Sequence, residues 1–171
     1  ILEIGSFLQD NDIDRVRKLF ARESKDFLQK YFKKELFFTD VEGKTKDEVL
    51  KNLCRKVEQE KGLPETFTAS VLKREELTPT DYGNLVALPH PERAFQERAF
   101  VAVAVLKEPI FWFRQKVQVV FLTAIGREED ENLQQFYEAT TDLILRPADV
   151  QNLIRHPDYD RLIQLLRRAE E

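Results

Sequence analysis

The chain has 171 residues, of which 42% are hydrophobic and 34% are charged, a composition typical of one globular domain with a hydrophobic core. Its net charge of −4 argues against binding of a nucleic-acid backbone by bulk charge. The sequence contains neither the roughly 18 consecutive apolar residues of a membrane span nor a recognisable signal peptide. A single cysteine excludes an intrachain disulfide, and two histidines with one cysteine are too few for a standard structural zinc site.

The start of the chain is predicted to be a helical arm or linker. The sequence contains no methionine and opens with Ile1, so we expect a piece of a longer protein; the alternative is that modified methionines were left out of the sequence. Apolar residues follow at helical spacing to about Lys34, at Ile13, Val16, Leu19, Phe20, Phe27, Leu28, Tyr31 and Phe32. We therefore expect an arm over residues 1–38 and a main domain over residues 39–171.

Two helices are predicted to open the main domain. Thr45 lies three residues before Glu48, which is the spacing of a capping box at a helix start. Apolar residues then share one helix face until Gly62, namely Val49, Leu50, Leu53, Cys54 and Val57. A second helix is predicted over residues 65–77 and ends before Pro79. Cys54 is expected to be a small core residue.

Strands are predicted next, followed by further helices. Apolar runs indicate buried strands over residues 85–88, 100–106 and 117–125. Helical spacing returns over residues 133–144, 147–154 and 159–166. This order of helices, then strands, then helices predicts an α/β or α+β sandwich around one sheet. We favour the α/β class with a mixed sheet sandwiched by helices.

Two side chains are candidates for chemistry. His90 follows Pro89 at the end of an apolar strand, where a neutral imidazole can serve as a base, a ligand or a nucleophile. Arg74 lies near the end of the second helix, and a guanidinium group can hold two oxygens of one phosphoryl group. The alternatives are a structural histidine at a strand end and a solvated arginine at a helix end. From position alone, these structural alternatives are favoured.

Other residues are predicted to be structural. Glu75 and Glu76 are expected to be solvated charges, and His156 is expected at the surface of a polar helix junction. Trp112 and its flanking phenylalanines are either a binding patch or, more commonly, a core anchor. The sequence has no glycine-rich phosphate loop, no Ser-His-Asp order and no metal-ligand spacing.

The segment REELTPTDYGNLVALPH, which runs from Arg74 to His90, carries a family resemblance. It resembles the active-site stretch of the fructose/mannitol-type enzyme IIA domains of the bacterial phosphoenolpyruvate-dependent sugar phosphotransferase system. In that family an Arg-Glu pair ends a helix, a threonine and a glycine mark a loop, and an apolar strand ends in Pro-His. The resemblance extends from about Thr39 to the C-terminus and implies the enzyme IIA fold and a cytoplasmic location.

The resemblance also implies the roles of individual residues. His90 would accept a phosphoryl group from the phosphocarrier protein HPr, and Arg74 would bind that group. Thr80 and Gly83 match the loop positions and are expected to support the site, with backbone N–H groups around Gly83 as further donors. Asn132 matches the place where the transport enzymes often carry a second active-site histidine. No cofactor, nucleotide or metal is implied.

Three departures from the transport enzymes favour a regulatory protein. Pro91 follows His90 where those enzymes usually have a small residue. Asn132 can donate a hydrogen bond, but it cannot carry charge or shuttle a proton. The segments at residues 109–112 and 133–137 are more similar to the enzyme IIA-like domains that end antiterminators and activators with phosphotransferase-regulated domains.

The resemblance therefore implies the regulatory domain of a sugar-responsive transcriptional regulator or antiterminator, phosphorylated on His90 and acting on neighbouring domains of a longer chain. One alternative is an enzyme IIA transport component that passes the phosphoryl group to a cysteine of enzyme IIB. Another is an interaction module that is not phosphorylated. For each, we expect no direct nucleic-acid contact by this piece and no membrane insertion. Whether the domain is an enzyme or only a phosphoacceptor stays open.

Overall fold

The structure is a computed structural model that describes residues 28–168. Its helices and strands are α1 (Leu28–Tyr31), β1 (Phe32–Phe38), α2 (Lys46–Lys61), α3 (Thr66–Leu77), β2 (Asp81–Gly83), β3 (Val86–Ala87), β4 (Phe100–Phe111), β5 (Lys116–Ala124), α4 (Leu133–Ile144), α5 (Pro147–Arg155) and α6 (Tyr159–Arg167). Within the described range, no helix combines the length and apolarity needed to cross a membrane. The helical pattern predicted for residues 13–27 lies outside the described residues.

The five strands form one mixed sheet in the order β1–β4–β5–β3–β2. The pairs β1–β4 and β3–β5 are parallel, whereas β4–β5 and β2–β3 are antiparallel. Helices α2 and α3 share a core with one face of this sheet, and α1, α4, α5 and α6 share a second core with the other. The prediction of an α/β fold with a mixed sheet sandwiched by helices is therefore confirmed.

Strand β4, an interior strand of the sheet, explains why the apolar runs in the sequence are continuous. Its residues Ala102 and Ala104 join the core under α2 and α3. Val101, Val103 and Val105, which alternate with them, join the core on the opposite face. Because neighbouring side chains of a strand point to opposite faces and both faces are covered, almost every position along this strand is apolar.

Local signals set the ends of α2 as predicted. The Thr45 Oγ1 atom accepts a hydrogen bond from the Glu48 backbone N–H at 3.2 Å. The Glu48 carboxylate in turn accepts one from the Lys44 backbone N–H at 2.8 Å, so the capping box reaches back one residue further than usual. Gly62 ends the helix in the left-handed conformation, with φ 66°. Cys54 is buried on the inner face of α2, and this burial raises the pKa of its thiol.

The domain begins earlier than the predicted boundary at residue 39. Strand β1, over Phe32–Phe38, is an edge strand of the sheet, and Phe32 pairs with Val101 of β4. Leu28 and Tyr31 of α1 are buried in the same core. Over residues 28–32, the helical spacing arises because a single helical turn runs directly into a strand and both present apolar residues inwards. The separate arm therefore stays a prediction for residues 1–27 alone.

The predicted strands also differ from the structure in extent. Strand β4 continues beyond Leu106 to Phe111, with a shift in register between Val105 and Ile110. Pro109 lies within this irregular stretch, where a residue without a backbone N–H is tolerated. Residues Asp81–Gly83, expected to be part of a loop, form the short strand β2.

Gly126, two residues after the end of β5, is expected to tolerate no side chain. A Cβ atom there would lie 2.2 Å from the Glu97 carbonyl oxygen and 2.7 Å from the Ala99 backbone nitrogen. Because these are backbone atoms, Gly126→Ala should lower the free energy of unfolding by about 2 kcal/mol or more. Gly62→Ala is the control, since open space surrounds Gly62 and only its positive φ is strained, at a cost of about 1 kcal/mol. Urea denaturation measures both, and equal losses would contradict the steric explanation.

Candidate functional site

His90 lies just beyond β3, where the parallel strands β3 and β5 both approach their carboxyl ends. The carbonyl oxygen of Pro89 accepts a hydrogen bond from the Thr123 backbone N–H at 3.0 Å. Pro89 and Pro91 are both buried, and each has a φ angle fixed by its ring. The backbone is thus held on both sides of His90, while the imidazole itself is half-buried and open to solvent.

One nitrogen of the His90 ring is occupied by a backbone contact. The Nδ1 atom lies 3.0 Å from the carbonyl oxygen of Pro91. A carbonyl oxygen can only accept a hydrogen bond, so in the neutral ring this geometry places the proton on Nδ1. The Nε2 atom then keeps its lone pair and is the nitrogen available as a nucleophile.

On one side, His90 borders a mainly apolar cavity of about 470 Å³ between β2 and α4. Three large side chains in its lining are exposed to solvent: Tyr82, Ile125 and Tyr137. Desolvation by the surrounding residues raises the pKa of the Tyr137 phenol. Thr80 also lines this cavity. A partner that reaches His90 from this side meets an apolar surface.

His90 also borders a second cavity of about 500 Å³, called here the charged cavity, whose surface is largely apolar but whose lining includes charged side chains. Its lining includes Arg74, Glu92 and Arg93, so the structure brings Arg74 and His90 to one site. Arg74 lies in the last turn of α3, and its Nη1 atom donates a hydrogen bond to the Thr78 carbonyl oxygen at 2.9 Å. This bond holds the guanidinium group at the end of the helix.

Glu75 is a buried carboxylate next to the site, and the prediction that it is solvated is wrong. Its side chain is 1% exposed. One of its oxygens accepts hydrogen bonds from the Thr80 backbone N–H at 2.6 Å and from the Trp112 Nε1 atom at 2.8 Å. The Thr80 hydroxyl donates to the same carboxylate at 2.9 Å. Glu75 therefore ties the end of α3 to the loop before β2 and to the turn after β4.

The sequence contained a signal for the burial of Glu75. It lies four residues after Val71 and eight after Phe67, and both are fully buried on α3. That spacing places all three on the inner face of the helix. Its neighbour Glu76 is exposed, as predicted.

Two expected supporting residues lie apart from His90. Gly83 lines neither of the two cavities next to His90, and its φ of 124° opens the turn between β2 and β3. Asn132 precedes α4 and contributes to another cavity, where its backbone N–H donates to Asp130 Oδ1 at 3.0 Å. Arg74 and Thr80 thus each line a cavity that His90 also lines, whereas Gly83 and Asn132 do not.

The remaining candidates are structural. Trp112 is 4% exposed and anchors the turn after β4 through its bond to Glu75, although its neighbours Phe111 and Phe113 are exposed. His156 is exposed at the end of α5, as predicted. Among residues 28–168, no group of three or more histidine, cysteine or acidic residues could hold a metal ion.

Solved structures of enzyme IIA proteins have the same fold. The nitrogen regulatory protein IIA-Ntr from Neisseria meningitidis aligns with a TM-score of 0.69 and 18% identity, over 82% of this chain and 99% of that protein. Enzyme IIAMtl from Escherichia coli, solved in complex with phosphorylated enzyme IIBMtl, aligns with a TM-score of 0.65 and 18% identity, over 79% of this chain and 97% of that one. At such identities the likeness establishes the fold alone.

The family is shown by sequence. The model of the family described as "Phosphoenolpyruvate-dependent sugar phosphotransferase system, EIIA 2" matches residues 30–169. The chain is 33% identical to the probable licABCH operon regulator of Bacillus subtilis over 162 residues, which is 95% of this chain and 25% of the relative. It is 27% identical to the transcriptional regulator ManR of the same organism over 120 residues, 70% of this chain and 18% of that protein.

The protein belongs to the EIIA 2 family of the phosphotransferase system. The resemblance drawn from the segment between Arg74 and His90 is thereby confirmed. The chain spans a quarter or less of the length of these two curated relatives.

Replacing Glu75 should destabilise the domain because three donors would lose a buried acceptor. We expect Glu75→Ala to lower the free energy of unfolding by about 3 kcal/mol, whereas Glu76→Ala, at the exposed neighbouring position, should change it by less than about 0.5 kcal/mol. Urea denaturation followed by Trp112 fluorescence compares the two variants. Equal stability of both variants would contradict the bonding role assigned to Glu75.

Proposed function

We propose that this chain is the regulatory enzyme IIA-like domain of a sugar-responsive transcriptional regulator, phosphorylated on His90 by phospho-HPr. The observation that carries the proposal is the His90 ring, whose Nε2 atom keeps its lone pair and which borders the same cavity as Arg74. The regulatory role is supported by the two Bacillus subtilis regulators, of which this domain matches a quarter or less. Neighbouring domains of a longer chain would read out the phosphorylation, and the proposed location, shared with HPr, is the cytoplasm.

In the proposed step, His90 Nε2 attacks the phosphorus atom of the phosphohistidine on HPr. A nitrogen–phosphorus bond forms to His90 while the one to the HPr imidazole breaks, and the departing HPr nitrogen keeps the electron pair of that bond. In this step the other nitrogen of the HPr ring carries a proton, so the ring leaves as a neutral imidazole. The His90 proton stays on Nδ1 in its hydrogen bond to Pro91, so no base is needed at Nε2. Such a transfer depends on positioning and on stabilisation of charge.

Arg74 would supply much of that stabilisation. Its guanidinium is held at the end of α3 by the Thr78 carbonyl, and it lines the same cavity as His90. A preorganised cation at this position neutralises charge on the phosphoryl oxygens without having to reorganise during the transfer.

The apolar cavity on the other side of His90 is the proposed contact for HPr. Tyr82, Ile125 and Tyr137 expose large apolar surfaces around the reacting imidazole, and such surfaces are typical of protein interfaces. A transport role, in which enzyme IIB takes the phosphoryl group from His90, is the alternative. The solved complex of enzyme IIAMtl with phosphorylated enzyme IIBMtl gives it a precedent within the same fold.

Phosphorylation should require His90 and not the second histidine. The domain is incubated with phosphoenolpyruvate, enzyme I and HPr, and its intact mass is followed. We expect the parent and the His156→Ala variant to gain one acid-labile phosphoryl group, because His156 is exposed at the end of α5 and distant in sequence from the site. His90→Ala should gain none. A parent domain that stays unmodified while a related active domain is phosphorylated would overturn the proposed function.

The Arg74 side chain should affect transfer more than a comparable helix-end arginine. We expect Arg74→Ala to slow single-turnover transfer from phospho-HPr by about 100-fold, and Arg74→Lys by less, since a lysine keeps the charge but not the planar fork. The control is Arg155→Ala, because Arg155 also lies in the last turn of a helix and donates to a backbone carbonyl, that of Gln151. A rate for Arg74→Ala like that of the control would refute the assigned role.

Two further measurements separate a sensor from a transporter. Rapid transfer from the phosphorylated domain to an enzyme IIB partner would favour the transport alternative. In the full-length protein, a His90→Ala variant that answers sugar supply as the parent does would contradict the sensor.

A further inference from the structure

A second guanidinium group lines the charged cavity at His90. Arg93 follows His90 by three residues and contributes to the same lining as Arg74 and Glu92. Neither the resemblance to the family nor the spacing of the sequence assigns it a role.

Aromatic packing holds the Arg93 side chain in place. Its guanidinium carbon lies 4.0 Å from the centre of the Phe95 ring. Phe95 is itself buried and packs edge-on against Phe67 of α3, with ring centres 5.5 Å apart. A guanidinium group stacked on a ring face keeps its N–H donors free, because those donors lie in the plane of the group.

The donors of Arg93 are also uncommitted within the described part of the chain, where the side chain makes neither a hydrogen bond nor a salt bridge. Arg74, by contrast, uses one donor on the Thr78 carbonyl oxygen. The loop that carries Arg93 is fixed to α3, because the Glu92 backbone N–H donates to Ser70 Oγ at 2.7 Å. Arg93 is therefore an exposed cation that is positioned over Phe95, lies on a loop bonded to α3, and has neither a hydrogen-bond nor an ion-pair partner within residues 28–168.

The balance of charge in the charged cavity indicates a role for the Arg93 guanidinium. The phosphoryl group of a phosphorylated histidine would carry a charge of about −2 on its oxygens. Among the lining residues, the Glu92 carboxylate offsets one of the two guanidinium groups. With Arg74 alone the cavity would be close to neutral, and Arg93 makes it positive.

We propose that Arg93 is a second phosphoryl-binding residue, whose guanidinium donates hydrogen bonds to the phosphoryl oxygens on His90 together with that of Arg74. This inference rests on the proposed phosphorylation of His90. It predicts that Arg93 stabilises the phosphorylated domain relative to phospho-HPr.

The test is the equilibrium of phosphoryl exchange between HPr and the domain, measured by intact mass at concentrations at which the two proteins are mostly unbound. That equilibrium depends on the free energies of the phosphorylated and unmodified proteins, and not on how tightly the two proteins dock. We expect Arg93→Gln to shift it about tenfold towards phospho-HPr. Arg93→Lys should shift the equilibrium in the same direction by about threefold, because lysine keeps the positive charge but lacks the planar set of N–H donors of a guanidinium group.

Two further variants serve as controls for the position and the charge of Arg93. Arg114 also lies over an aromatic ring, that of Phe113 at 5.6 Å, but it does not line the charged cavity, so Arg114→Gln should leave the equilibrium unchanged. Glu92→Gln should shift it in the opposite direction, by about threefold towards the phosphorylated domain, because it removes a negative charge from the cavity.

The outcomes distinguish this inference from the function on which it rests. If the parent domain is phosphorylated and Arg93→Gln exchanges with the same equilibrium constant as Arg114→Gln, Arg93 has no role in binding the phosphoryl group and the proposed function stands. If the parent domain is never phosphorylated, the proposed function itself fails. Circular dichroism confirms that each variant is folded before its equilibrium is measured.

Discussion

The Glu75 carboxylate holds together the segments from which the candidate site is built. It lies in the last turns of α3, next to Arg74, and accepts hydrogen bonds from Thr80 and from Trp112. A buried carboxylate is tolerated only when its oxygens accept hydrogen bonds. The burial of Glu75 therefore depends on the three donors from Thr80 and Trp112. The same bonds fix Thr80 in the lining of the apolar cavity, while the bond from the Glu92 backbone N–H to Ser70 Oγ holds α3 to the loop that follows His90.

The sheet supplies the second constraint, which is the direction in which His90 points. Strand β3 is only two residues long, and it runs parallel to β5 before the chain turns out at Pro89. Because residues at the carboxyl ends of parallel strands emerge at one edge of a sheet, His90 and Thr123 meet there. A polar side chain is thus presented at an edge otherwise built from apolar strands.

Much of this fold could be predicted because its strands are covered on both faces and its helices carry ordinary capping signals. The runs of β4 and β5 and the cap at Thr45 follow directly from the sequence. The edge strand β1 was missed because three consecutive charges, Lys33, Lys34 and Glu35, interrupt its apolar residues and because it follows a helical turn without a break. Where packing on both faces does not dictate the pattern, a short segment fits helix and strand equally well.

The candidate site was only partly predictable. The pairing of His90 with Arg74 came from a family motif and not from spacing, since they lie on different elements and meet through the fold. Glu75 was misjudged because a charged residue is usually solvated, although its position relative to Val71 indicated the inner face. Arg93 could not be found from sequence, because its position depends on the stacking over Phe95 and on the bond that holds its loop to Ser70.

The apolar cavity beside His90 has a consequence for hydration. A phosphoryl dianion on Nε2 would have to stay hydrated or paired with cations, so a partner that covers Tyr82 and Tyr137 and excludes water from His90 would bind the unmodified domain more tightly than the phosphorylated one. Binding and modification are thermodynamically linked. The factor by which phosphorylation lowers the affinity for that partner is also the factor by which the bound partner lowers the equilibrium constant for phosphorylation. A neighbouring domain bound to this surface would therefore determine how high the ratio of phospho-HPr to HPr must be before His90 is phosphorylated.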